Sequence, residues 1–180
     1  QNWVMFIYPP EVGTSYLELE EITGEKRYLD AARAIGEYLR ANVRENGTWF
    51  LIRDIRTNEI LTPDYCEPLE KIVPFLMGLY KRTGENIWKE LADKAIAYVE
   101  NTSLADYSWG AQFEDSVCTV NYSNITHYAA TALIRYYCEY FSDDESKMKI
   151  ADDLMDYGSV KRAKLGVTMS AITAEMAKEY

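Results

Sequence analysis

The chain has 180 residues, with 19 basic and 29 acidic side chains and a formal charge of −10. At 48% hydrophobic, with 5 Phe, 4 Trp and 15 Tyr, it can fill one core of ordinary domain size, which excludes a disordered chain. The acid excess without any dense Lys/Arg cluster excludes nucleic acid as a partner, and no apolar run approaches the roughly 18 residues of a membrane span.

In chain order, the first apolar run is Trp3 to Tyr8, closed by Pro9-Pro10. It is too short for a signal-peptide core and has no basic residues before it, so an exported protein would already have lost its leader. This run and the one from Trp49 to Ile55 read as short strand-like pieces. A first helix is expected over 13–22, followed by Thr23-Gly24-Glu25 and a second helix over 26–43. Thr62-Pro63 signals the start of a helix over 64–82, in which Pro74 predicts a kink or a late start. Thr83-Gly84-Glu85 then precedes a helix over 86–101. Helices over 124–141 and 144–158 flank Asp143-Asp144-Glu145, and a last one is expected over 166–180.

These elements repeat. Thr23-Gly24-Glu25 recurs sixty residues on as Thr83-Gly84-Glu85, and the next step lands on Asp143-Asp144-Glu145. Downstream the register keeps an apolar stripe: Tyr28, Trp88 and Met148, then Ala31, Leu91 and Ala151, then Ile35, Ala95 and Met155. Offsets of 3 and 4 trace one helical face. Gly24 and Gly84 stand where a helix end needs positive φ. Glu25, Glu85 and Glu145 stand in the first turn of the next helix, where a carboxylate meets the positive end of the dipole. Trp49 and Trp109 are also sixty apart, Asp54 pairs with Glu114, and Asp64 with Asn124. The expected fold is all-α: repeated antiparallel helical hairpins in a single domain. Its units run over about 1–45, 46–105 and 106–165, with the start of a fourth at 166–180.

With the turns Thr23-Gly24-Glu25-Lys26-Arg27-Tyr28-Leu29-Asp30-Ala31-Ala32 and Thr83-Gly84-Glu85-Asn86-Ile87-Trp88-Lys89-Glu90-Leu91-Ala92, the sequence resembles the six-hairpin (α/α) toroid of glycosidases and polysaccharide lyases. The likeness covers roughly 13–158 and its motif is architectural. It implies a partial toroid of about three hairpins, completed by further hairpins of a longer protein or by another chain. It also implies a carbohydrate cleft at the end where the inner helices begin, lined by the linking segments. Mapped onto this chain, that end holds Trp49, Asp54, Asp64, Tyr65, Glu67, Trp109, Glu114, Asp115, Asn121, Tyr122, Asn124, His127 and Tyr128.

Glycoside hydrolysis needs one carboxylic acid to protonate the leaving oxygen and a second carboxylate ~5–9.5 Å away. Glu114 and Asp115 are adjacent, and on an extended segment they point to opposite sides, so the better pair takes one of them with Asp54 or Asp64. The plain alternative is that all four are solvated or capping acids. His127, the single histidine, stands within one helical turn of Asn124 and Tyr128. With Asn121 and Tyr122 they offer part of a uronate lyase set, in which Asn neutralises the sugar carboxylate and His or Tyr is the base. A histidine bonded at a helix start is the plain reading. Trp49 and Trp109 suit the apolar face of a pyranose, with Tyr65, Tyr122, Asn124 and Tyr128 as further substrate contacts; equal register equally fits structural plugs.

No phosphate loop, serine-hydrolase elbow or zinc-protease motif occurs, and the three cysteines Cys66, Cys118 and Cys138 lack metal or redox spacing. No cofactor or metal is expected. Four Asn-x-Ser/Thr sequons, at Asn46, Asn101, Asn121 and Asn124, against roughly one by chance, point to a secreted or periplasmic protein, with a cytoplasmic one the alternative. The expected function is a glycoside hydrolase acting on a neutral oligo- or polysaccharide. The alternatives are a polysaccharide lyase and a non-catalytic glycan- or protein-binding repeat.

Overall fold

A computed structural model of the chain describes residues 2–6, 8–62, 69–106 and 128–157. In order these form β1 (Trp3–Met5), α1 (Tyr8–Thr23), α2 (Lys26–Asn42), β2 (Ile52–Asp54), α3 (Leu69–Thr83), α4 (Asn86–Asn101), α5 (Ser103–Asp106), α6 (Tyr128–Tyr140) and α7 (Glu145–Tyr157). Among the described residues the fold is all-α apart from one antiparallel pair that sets Trp3 against Asp54 and Met5 against Ile52. The strand-like pieces expected near Trp3 and Trp49 are these two strands. The helix expected over 166–180 and the residues around Pro63 lie outside the described residues.

One helix boundary differs from expectation for a physical reason. α1 begins at Tyr8 rather than near 13, and takes Pro9 and Pro10 into its first turn. The first N–H groups of a helix have no internal partner, so proline there removes nothing. Pro74 lies inside α3, which continues to Thr83.

The turns after α1 and α3 share one chemistry. Gly24 and Gly84 both have φ of +70°, and a Cβ on either would meet no neighbour, so backbone conformation alone calls for glycine. The Gly24 and Gly84 N–H groups each donate to a carbonyl four residues back, at 2.8 Å in both cases. The Thr23 and Thr83 hydroxyls donate to the Leu19 and Leu79 carbonyls and accept the N–H of Glu25 and Glu85, both at 3.2 Å. Glu25 and Glu85 occupy the N-cap with extended backbone, just ahead of the first turn. The third turn is built differently. Without a glycine, Phe141 to Asp144 separate α6 from α7, and Asp144 Oδ1 caps α7 by accepting the N–H of Ser146 at 3.0 Å and of Lys147 at 3.1 Å.

α3 packs against both α1 and α6, so these three form one layer, while α2, α4 and α7 pack on the helix that precedes each of them. α3 is the centre of the core: Ile72, Val73, Leu76 and Leu79 are fully buried. α1 approaches α3 closely because Gly13 lies against the Phe75 ring, where a Cβ would collide. Glu11–Lys71 and Glu20–Arg82 ion pairs tie the same two helices. The far side of α1 carries Val12, Leu19 and Ile22 at 48%, 38% and 81% exposure, whereas Ile72 and Leu79, sixty residues beyond Val12 and Leu19, are at 0%. The α1/α2 pair covers that face of α3, and α1 itself has no described neighbour there.

Between α4 and α6 the core closes on two tyrosines. Tyr136 Oη donates to Asp93 and Tyr137 Oη to Glu100 Oε1 at 2.6 Å, and the Lys89 and Lys147 ammonium groups pair with the same carboxylates. Burial, then the accepting carboxylate, raises both phenols above their ordinary value. The raised folded-state value favours the protonated native form, so the stabilisation is complete below about pH 10, where unfolded tyrosine titrates, and is lost as pH climbs beyond it. Urea midpoints measured from about pH 9 to 11.5 are expected to fall, and Tyr136→Phe/Tyr137→Phe to fall less steeply. A phenolate titration of the folded protein in which every tyrosine ionises near pH ~10 would contradict this.

Candidate functional site

Two of the expected site residues are described in full. Asp54 ends β2, and its Oδ1 accepts the backbone N–H of Arg56 at 2.8 Å and of Thr57 at 2.9 Å. The N–H of Thr57 and then that of Arg56 hold its carboxyl below the usual range. An acid that donates a proton near neutral pH needs the opposite shift, so Asp54 is a turn anchor and not the proton donor.

Trp49 is a correction of a different kind. Its indole is fully buried, and Nε1 donates to the Leu39 carbonyl at 2.7 Å. Leu39 lies in the last turn of α2, where carbonyls lack helix donors because Val43 turns to extended backbone. Trp49 supplies the missing donor and seals the helix end, so it presents no face to a saccharide. Asp64, Tyr65, Trp109, Glu114, Asp115, Tyr122, Asn124 and His127 lie outside the described residues. Tyr128 is described only as the first residue of α6.

What the described residues do assemble is a groove over α3, between α1 and α6. One lobe, about 410 Å³, is lined by Glu11, Thr14 and Ser15 from α1, Glu70, Lys71 and Pro74 from α3, and Arg135 from α6. A second, about 370 Å³, runs on along Pro74, Met77, Gly78 and Lys81 to Arg135, Cys138 and Glu139. Pro74 and Arg135 line both, which makes one continuous groove.

Its charges are largely committed. Lys71 Nζ stands 3.2 Å from Glu11 Oε1 and 3.2 Å from Glu70 Oε1. Partial burial would lower the Lys71 pKa, but hydrogen bonds to the two carboxylates outweigh it and hold the ammonium above its ordinary value. Lys81 Nζ is 2.6 Å from Glu139 Oε1. The Thr14 and Ser15 hydroxyls donate to the Pro10 and Glu11 carbonyls, and their oxygens keep free lone pairs. With Glu11 and Glu70 sharing one ammonium and Glu139 paired with another, these residues are equipped to bind a polar molecule rather than to move a proton.

The sequence reading missed Glu11, Glu70, Lys71 and Arg135, which come from three separate helices. One signal was available: Glu11 and Lys71 are sixty apart and opposite in sign, as an ion pair between successive hairpins would be. Among the described residues no group of three His, Cys, Asp or Glu side chains is placed to hold a metal ion, and no helix is long and apolar enough to cross a membrane. No protein-family model matches the chain, and no curated protein is significantly similar to it.

Proposed function

We propose that the chain forms three hairpins of an (α/α) toroid that acts on carbohydrate, with glycoside hydrolysis as the reaction. The observation that carries this reading is the groove over α1, α3 and α6, whose first lobe is lined near the amino-terminal ends of α1 and α3. The resembled toroids bind saccharide at the corresponding rim. A groove with hydroxyl oxygens, charged groups and the apolar surface of Pro74 and Met77 suits a pyranose, which has one apolar face and a polar edge. The matching hydrogen bonds of the Gly24 and Gly84 turns support successive copies of one unit. The exposed Val12, Leu19 and Ile22 support a further hairpin on that side, from the same protein or another chain.

In this proposal the acid comes from Asp64, Glu114 or Asp115 on the linking segments, and its partner carboxylate from the same three or from Asp54, whose lowered value suits an ionised partner and not the donor. Replacing whichever residue donates the proton with alanine is expected to lower turnover ~10²–10⁴-fold, read as new reducing ends released from oligosaccharides. If all three alanine variants keep full activity, the acid assignment fails. An absorbance near 235 nm (~ the enone left by elimination), lost in His127→Ala, would replace hydrolysis with the lyase reading. A second reading, binding without turnover, is favoured by the ion-paired carboxylates of the groove. It would be upheld by saccharide binding with no product.

A further inference from the structure

Among the described residues, one cation of the groove has no partner. Lys71 is shared by two carboxylates and Lys81 is paired with Glu139, but the Arg135 side chain, exposed and lining both lobes, has no ion pair or hydrogen bond among the described residues. In a chain with 29 acidic and 19 basic residues, an unpaired guanidinium midway along a groove bordered by Glu70 and Glu139 is out of keeping with its surroundings. Both of those carboxylates are drawn to lysines, which leaves the Arg135 fork open to an incoming anion.

Arg135 is not a residue of the repeat. The positions sixty and a hundred and twenty before it are Phe75, which packs against Gly13, and Ser15, which lines the same lobe. A side chain required by hairpin packing would keep its character across the register; this position holds a hydroxyl, a core ring and a guanidinium. The floor beside it is also unusual. Pro74 has no N–H, so the Glu70 carbonyl four residues back has lost its helix donor and is left to accept from elsewhere. An open guanidinium, two hydroxyl-bearing side chains and the apolar surface of Pro74 and Met77 thus line one trough, with Glu70, whose carbonyl lost its helix donor, beside them.

We infer that this groove takes an acidic saccharide, with a uronic acid carboxylate held by the Arg135 guanidinium and the sugar hydroxyls by the groove floor. The inference rests on the carbohydrate reading above and names the substrate class, replacing the neutral sugar expected from total charge. A planar guanidinium and a carboxylate match in a two-pronged contact that an ammonium does not reproduce. The net charge of −10 opposes long-range attraction, so recognition depends on this local contact.

The test is calorimetric titration of the intact chain with oligomers of galacturonate and of glucuronate, each against the uncharged galactose or glucose oligomer of equal length. The expected result is tighter binding of a uronate oligomer, by about 10–100-fold, the range of a charge-assisted hydrogen bond. Arg135→Ala and Arg135→Gln are expected to remove that preference, bringing the uronate oligomer to the affinity of its neutral counterpart, and Arg135→Lys to restore only part of it. Arg135 is exposed, so circular dichroism of the variants should match the parent. Equal affinity for acidic and neutral oligomers, or an uronate preference that survives Arg135→Ala, overturns the inference and leaves the carbohydrate reading standing. If no oligomer of either kind binds, both fall.

Discussion

Replacing Trp49 with alanine is expected to lower the unfolding free energy by about 3–5 kcal/mol, the range for removing a fully buried aromatic ring. Two effects add. The ring leaves a cavity in the core, and the Leu39 carbonyl loses the indole donor that stands 2.7 Å away. Trp49→Phe separates them: it keeps most of the volume and loses only the donor, so about 1–3 kcal/mol is expected. Urea unfolding followed by circular dichroism measures both. The result that would return Trp49 to the role of sugar platform is an alanine variant as stable as the parent that has lost saccharide binding.

Leu79→Ala is expected to cost about 2–5 kcal/mol, while Leu19→Ala, at the same register position one unit earlier, is expected to cost less than ~1 kcal/mol in this chain. Leu79 is fully buried where α3 meets the α1/α2 hairpin; Leu19 is 38% exposed on the uncovered side of α1. The comparison reads the packing of successive hairpins directly, because residue type and helix position are the same and only the neighbour differs. Equal costs at the two sites would mean that the far side of α1 is covered after all, or that Leu79 is not a core contact between hairpins.

The two turns show how far sequence reasoning reaches. A threonine, a glycine and a glutamate in succession encode their geometry locally: the hydroxyl bonds back four residues and forward two, and positive φ needs glycine. Everything such a turn needs lies within about one helical turn of chain, so the helix ends that flank the two turns were placed to within a residue. The start of α1 was misplaced because proline was read as a stop, although a proline in the first turn forfeits no hydrogen bond.

The candidate site was less legible. Trp49 has the right register for a sugar platform, and periodicity cannot distinguish an aromatic ring that lines a cleft from one that plugs a helix end; the Leu39 carbonyl decides it. Asp54 likewise has the composition of a catalytic acid and the bonds of a turn. The groove residues Glu11, Lys71 and Arg135 are more than fifty residues apart from one to the next and meet only when α1, α3 and α6 lie side by side.

The sequence by itself determined the helices, the two glycine turns and the apolar faces, because each follows from interactions among residues close along the chain. Tertiary structure alone decided which polar side chains share a groove, which carboxylates are ion-paired and which cation is left open among the described residues. Those depend on distances between helices, and no local pattern in the chain carries that information.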